Sequence, residues 1–100
     1  MENRFVGKVA VITGAAKGMG KKTAELMAAE GAAVVIADVD RKAMEETVRR
    51  IQAAGGKAKG VYCDVAKRAQ VDELISGTRA EFGRVDILIN NAGILIPGTI

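Results

Sequence analysis

Four short apolar runs recur along the chain, and between them the apolar positions spread out to every third or fourth residue. Val9-Ala10-Val11-Ile12, ending at Thr13, is uninterrupted and of strand length, as a strand buried on both faces of a parallel sheet reads. From Met19 to about Glu30 the pattern is helical, with Ala24, Met27 and Ala28 on one face and Gly31 as the stop. Ala33-Val34-Val35-Ile36-Ala37 predicts a second buried strand, ending in Asp38. Asp40 is placed to cap a second helix, whose stripe of Met44, Thr47, Val48 and Ile51 precedes Gly55-Gly56. Lys57 to Asp64 predicts a third strand, shorter than the others and containing Gly60. Val71, Leu74, Ile75, Thr78 and Phe82 form the stripe of a third helix that stops at Gly83. Lys67-Arg68 in its first turn and Glu81 in its last oppose the helix dipole, so its start is poorly capped. Val85 to Ile89 predicts a fourth strand leading into Asn90-Asn91-Ala92-Gly93.

This order, β-α-β-α-β-α-β, defines an α/β class: a Rossmann-type doubly wound parallel sheet, represented by its first four strands and three helices. One hundred residues, 49% hydrophobic, can form one core but not a cofactor domain plus a separate substrate domain. The net charge of +3 alone would permit a nucleic-acid partner. The basic pairs Lys21-Lys22, Arg41-Lys42, Arg49-Arg50 and Lys67-Arg68 are instead scattered over three helices, with three aromatic residues in 100 to stack on bases, so no nucleic-acid partner is expected. Cys63 is the only cysteine and histidine is absent, which removes internal disulfides, cysteine or histidine metal clusters and Ser-His-Asp hydrolysis from these residues. No apolar run approaches the ~20 residues of a membrane span, and a reducing, cytoplasmic setting is expected.

The stretch Thr13-Gly14-Ala15-Ala16-Lys17-Gly18-Met19-Gly20 joins the first strand directly to the first helix. Gly14 suits the turn, Gly18 lets backbone N–H groups approach phosphate oxygens, and Gly20 lets the helix lie tightly on the sheet. A pyrophosphate would then sit at the helix N-terminus, where unpaired N–H groups and the macrodipole both favour negative charge. Glycine-rich turns also occur in folds that bind nothing, and the flanking strand and helix strengthen this one. Asp38 lies 18 residues beyond Gly20, at a strand tip where its carboxylate can accept hydrogen bonds from adenosine ribose hydroxyls. It favours NAD, because a 2′-phosphate would lose those bonds and meet like charge. Lys17 works the other way, as a cation able to attract that phosphate, so NADP remains possible.

The spacing Gly-x-x-x-Gly-x-Gly after Thr13, with Asn90-Asn91-Ala92-Gly93 after the fourth strand, resembles the short-chain dehydrogenase/reductase family in its compact branch. The resemblance covers essentially the whole chain and includes the lead-in Phe82-Gly83-Arg84-Val85-Asp86-Ile87-Leu88-Ile89. It implies that Met19 offers a backbone N–H to phosphate in place of the commoner isoleucine, and that Asp64 and Val65 contact adenine. It also implies that Ala92 and Gly93 admit the cofactor ribose while an asparagine, Asn90 or its neighbour, braces the sheet. In the family, a Tyr-x-x-x-Lys pair and a serine carry out hydride transfer, all later in the chain. Here the only tyrosine, Tyr62, has Ala66 four positions on, and the only serine, Ser76, lies within the third helix. No catalytic residue is therefore assigned.

Residues 1–100 are accordingly expected to form the N-terminal NAD(P)-binding part of a single Rossmann domain. The parent would be an oxidoreductase interconverting a small-molecule alcohol and a ketone or aldehyde, without membrane partners and homo-oligomeric by resemblance, and the 100 residues alone would be inactive. A non-catalytic dinucleotide-binding module is the alternative. A Rossmann-like methyltransferase also carries an acidic residue after its second strand, but the Asn-Asn-Ala-Gly segment argues against it.

Overall fold

The computed structural model describes residues 3–91. Four strands, β1 (Val9–Thr13), β2 (Ala33–Asp38), β3 (Lys57–Tyr62) and β4 (Ile87–Asn90), alternate with three helices, α1 (Gly18–Ala29), α2 (Arg41–Ala53) and α3 (Arg68–Phe82). All pairings are parallel and the strand order is β3-β2-β1-β4. The first strand is therefore internal, and the chain changes sides between β3 and β4.

The apolar runs divide by strand alternation. Ala10, Ile12, Val34 and Ile36 point to one face, where they pack with Ala24, Met27 and Ala28 of α1 and Met44 and Ile51 of α2. Val11, Val35 and Ala37 point to the other, against Leu74 and its neighbours Val71, Ile75 and Phe82 on α3. Helices thus cover both faces, and all five residues of β1 are buried. Gly60 is explained by this packing, since a Cβ there would stand 3.0 Å from Met44 Cγ of the overlying α2.

Two strand ends differ from the apolar pattern. At β4, the backbone N–H of Asp86 donates to Val9 O, but the N–H of Val9 donates to the Asp86 side chain (2.8 Å) rather than to a backbone carbonyl. The regular ladder therefore starts at Ile87 instead of Val85. At β3, Asp64 leaves the strand because its backbone carbonyl accepts from Lys67 and its carboxylate from Ala66, a local turn that ends the ladder at Tyr62. The helix ends follow the sequence: Asp40 caps α2 by accepting from Ala43 N–H at 3.0 Å, and no side chain caps α3. Among the described residues, no helix is long and apolar enough to cross a membrane.

Candidate functional site

The C-terminal ends of β1, β2 and β3 open onto one edge of the sheet, beside the point where the strand order reverses between β1 and β4. In open parallel sheets such a reversal leaves a crevice. The turn after β1 leads from this edge into α1. Gly14 has a φ of +63°, a region open to glycine, and its N–H donates to Ala37 O at 2.8 Å. Gly18, with φ of +66°, has open space where a Cβ would stand. Gly20 is the opposite case: a Cβ there would lie 2.2 Å from Gly14 O, so α1 reaches the turn only because that position lacks a side chain.

No side chain caps α1, and the bond from Lys21 N–H to Lys17 O is the first of its turn, so the amides of Gly18, Met19 and Gly20 precede the helical ladder. The Met19 side chain is exposed and contributes to no core. Ala16 is held at both backbone groups. Its N–H donates to Asp38 Oδ2 (3.1 Å), and its carbonyl accepts from the buried hydroxyl of Thr47 on α2 (2.8 Å). The other Asp38 oxygen accepts from Asp40 N–H at 3.0 Å. The strand-tip carboxylate is thereby fixed against the glycine turn, and each oxygen, with one N–H bound, keeps capacity to accept another donor.

A cleft of about 220 Å³ brings together Gly14, Asp38, Asp64 and Val65, with Ala37, Val39 and Cys63 completing its walls. Four of the candidate residues thus converge from three strand ends. Burial, and next to it the Asp64 charge, push the Cys63 thiol above its ordinary range, so it stays protonated. Val65 also borders a second cleft of about 300 Å³ with Thr13, Val71, Leu88 and Asn90. There the Thr13 hydroxyl donates to Asn90 Oδ1 (2.8 Å) and accepts from Asn91 N–H (3.2 Å), tying the ends of β1 and β4 together. Ala92 and Gly93 lie outside the described residues.

The Lys17 ammonium lies 3.4 Å from Asp40 Oδ2. The Ala43 N–H, ahead of Lys17, holds the Asp40 carboxyl below the usual carboxylate range. Tyr62 and Ser76 stand outside the clefts at the crevice: the Arg41 guanidinium stacks 4.4 Å over the Tyr62 ring, and Ser76 donates to Asp72 O within α3. Ala16 and Thr47 were not singled out from sequence as site residues. The hydroxyl of Thr47 in an otherwise apolar stripe was the available signal. Among the described residues, no group of three or more acidic or cysteine side chains could hold a metal ion.

Residues 8–100 match the family model described as short chain dehydrogenase, and the chain belongs to that family. An uncharacterised oxidoreductase of Thermotoga maritima is 47% identical over 96 residues, covering 96% of this chain and 38% of that protein. A metagenomic short-chain oxidoreductase crystallised with NADP superposes with a TM-score of 0.86 at 38% identity, over 90% of this chain and 41% of that one. A Burkholderia phymatum short-chain dehydrogenase/reductase crystallised with NAD gives 0.81 at 46% identity, over 84% and 30%. The chain therefore spans well under half the length of these relatives.

Proposed function

We propose that residues 1–100 form the coenzyme-binding part of an NAD(P)-dependent oxidoreductase that interconverts an alcohol and a ketone or aldehyde. NAD is the preferred dinucleotide, and the groups that act on substrate lie outside these residues. The observation that carries this reading is that the glycine turn leading into the uncapped start of α1 also fixes the Asp38 carboxylate, which shares a cleft with Gly14, Asp64 and Val65. When bound, the nicotinamide supplies the hydride acceptor or donor.

This chain's residues bind and orient. The amides of Gly18, Met19 and Gly20 meet the negative pyrophosphate, and Asp38 accepts from ribose hydroxyls. Asp64 and Val65 border the adenine, and Asn90 with Thr13 keeps the ends of β1 and β4 in register beneath the cofactor. Lys17 stands beside this path, close to Asp40. A homo-oligomeric parent in a cytoplasmic, reducing setting belongs to the same proposal, supported by the family and by the single buried thiol.

Titration of the full-length protein with NAD and NADP tests the reading, together with absorbance assays on a panel of primary and secondary alcohols. NAD should bind more tightly, and Asp38→Ala should narrow the gap. Failure to bind either dinucleotide would sink the proposal. Tight NAD binding with no turnover of any alcohol or carbonyl compound would favour a non-catalytic module.

A further inference from the structure

Asp38 sits inside a closed ring of contacts. One of its oxygens takes the N–H of Ala16, the residue before Lys17, and the other takes the N–H of Asp40. The side chains of Lys17 and Asp40 then meet each other at 3.4 Å, so the loop cation is drawn to the start of α2. Asp40 is itself anchored there, because its other oxygen accepts from Ala43 N–H at 3.0 Å. The neighbouring cation Arg41 is also engaged, stacked on Tyr62. Lys42 stands exposed in the first turn of α2.

We propose that Asp40 is a second determinant of coenzyme choice, acting through Lys17: by holding the loop ammonium at the α2 cap, it denies that cation to a ribose 2′-phosphate. The proposal rests on the dinucleotide-binding function above. A 2′-phosphate approaching Asp38 meets one carboxylate directly and finds the loop cation Lys17 already paired with another. Removing the Asp40 charge frees Lys17 to pair with a group carrying close to two negative charges. Asp40 is thus a positioning residue, and its effect requires Lys17.

The test is the ratio of the NADP and NAD dissociation constants, measured by calorimetry on the full-length protein and on Asp40→Asn, Lys17→Ala and the double variant. Asparagine caps a helix about as well as aspartate, so Asp40→Asn keeps the fold, which matching melting temperatures verify. In Asp40→Asn the ratio should fall about five- to tenfold, the scale of one exposed ion pair strengthened by the phosphate's extra charge, and the fall should shrink as salt is added. In the double variant the ratio should return to that of Lys17→Ala. An unchanged ratio in Asp40→Asn, or an equal fall without Lys17, overturns the proposal. If neither dinucleotide binds, the functional reading fails and this inference with it. If NAD binds and Asp38→Ala narrows the preference while Asp40→Asn leaves it fixed, this inference fails alone.

Discussion

Gly18 and Gly20 stand two positions apart in one turn, yet alanine should fail at them in different ways. At Gly18 the added Cβ points into open space, so the folding cost is that of a left-handed backbone for an L-residue, about 1–2 kcal/mol. At Gly20 it would stand 2.2 Å from Gly14 O, some 0.8 Å inside the 3.0 Å limit that real Cβ contacts respect. The obstacle is backbone, which no rotamer change can move, so α1 must lift from the sheet. A gap of about 0.5–1 Å forfeits a quarter to a half of each dispersion contact, and Ala24, Met27 and Ala28 all lose some. Overpacking of this kind costs about 3 kcal/mol, the upper end of its usual range and a large part of a typical total of about 5–15. Coenzyme binding should respond the other way. The Gly18 Cβ would stand where phosphate approaches, and losing one charge-assisted hydrogen bond of about 1.5–3 kcal/mol weakens NAD roughly 10- to 100-fold in a protein that still folds. Urea unfolding without coenzyme, followed by NAD calorimetry on the folded variants, measures both quantities. Equal destabilisation by the two variants would refute the packing argument. A folded Gly18→Ala variant with undiminished NAD affinity would refute the placement of the pyrophosphate.

Thr47→Val removes the buried donor to Ala16 O and should cost about 1–3 kcal/mol in urea unfolding, with weaker NAD binding, while Thr47→Ser restores both. Asp86 is held below the ordinary carboxylate range by the Arg84 guanidinium first and the Val9 N–H next. A lowered folded pKa stabilises above the unfolded value and loses that effect as pH falls through the folded one. Melting temperatures from pH 6 to about 2 should therefore fall more steeply for the unmodified protein than for Asp86→Asn, and parallel curves would discount this carboxylate. Residues 1–100 expressed alone should aggregate or pack loosely, since β4 pairs on one side with β1 and Leu88 is 55% exposed. Sedimentation and hydrogen exchange check this, and a monomer strongly protected at Ile87 to Ile89 would count against it.

The strands and helices were legible because burial imposes a local period, and the order β1-α1-β2 could be read from Val9 to Asp38. The turn at Gly14 and the close packing at Gly20 were legible for a similar reason, since positive φ and close approach both demand the same residue type. What stayed hidden depends on contacts between distant positions. Thr47 looked like one more member of a stripe because threonine passes for an apolar residue in a periodicity, and its bond to Ala16 spans 31 residues. The pairing of Lys17 with Asp40 was hidden in the same way: each was noticed, one as a loop cation and one as a cap, but nothing local joins them. At β4 the run beginning at Val85 overstated the strand, because a side-chain carboxylate substitutes for a ladder carbonyl without changing the apolar pattern.

The strand order β3-β2-β1-β4 also sets a timetable for synthesis. The strand made first is flanked on one side by β2 and on the other by β4, and the bond from Thr13 to Asn90 spans 77 residues. At translation rates of about 5–20 residues per second, the second edge of β1 waits roughly 4–15 s for its partner. During that interval the most buried strand of the sheet has an open side outside the ribosome. Pairing of β1 with β2 needs only residues up to Asp38, so the growing chain can assemble β1, α1 and β2 long before the sheet's other half exists. A nascent-chain force profile should accordingly show an early pull once β2 clears the exit tunnel and a later one when Ile87–Asn90 docks.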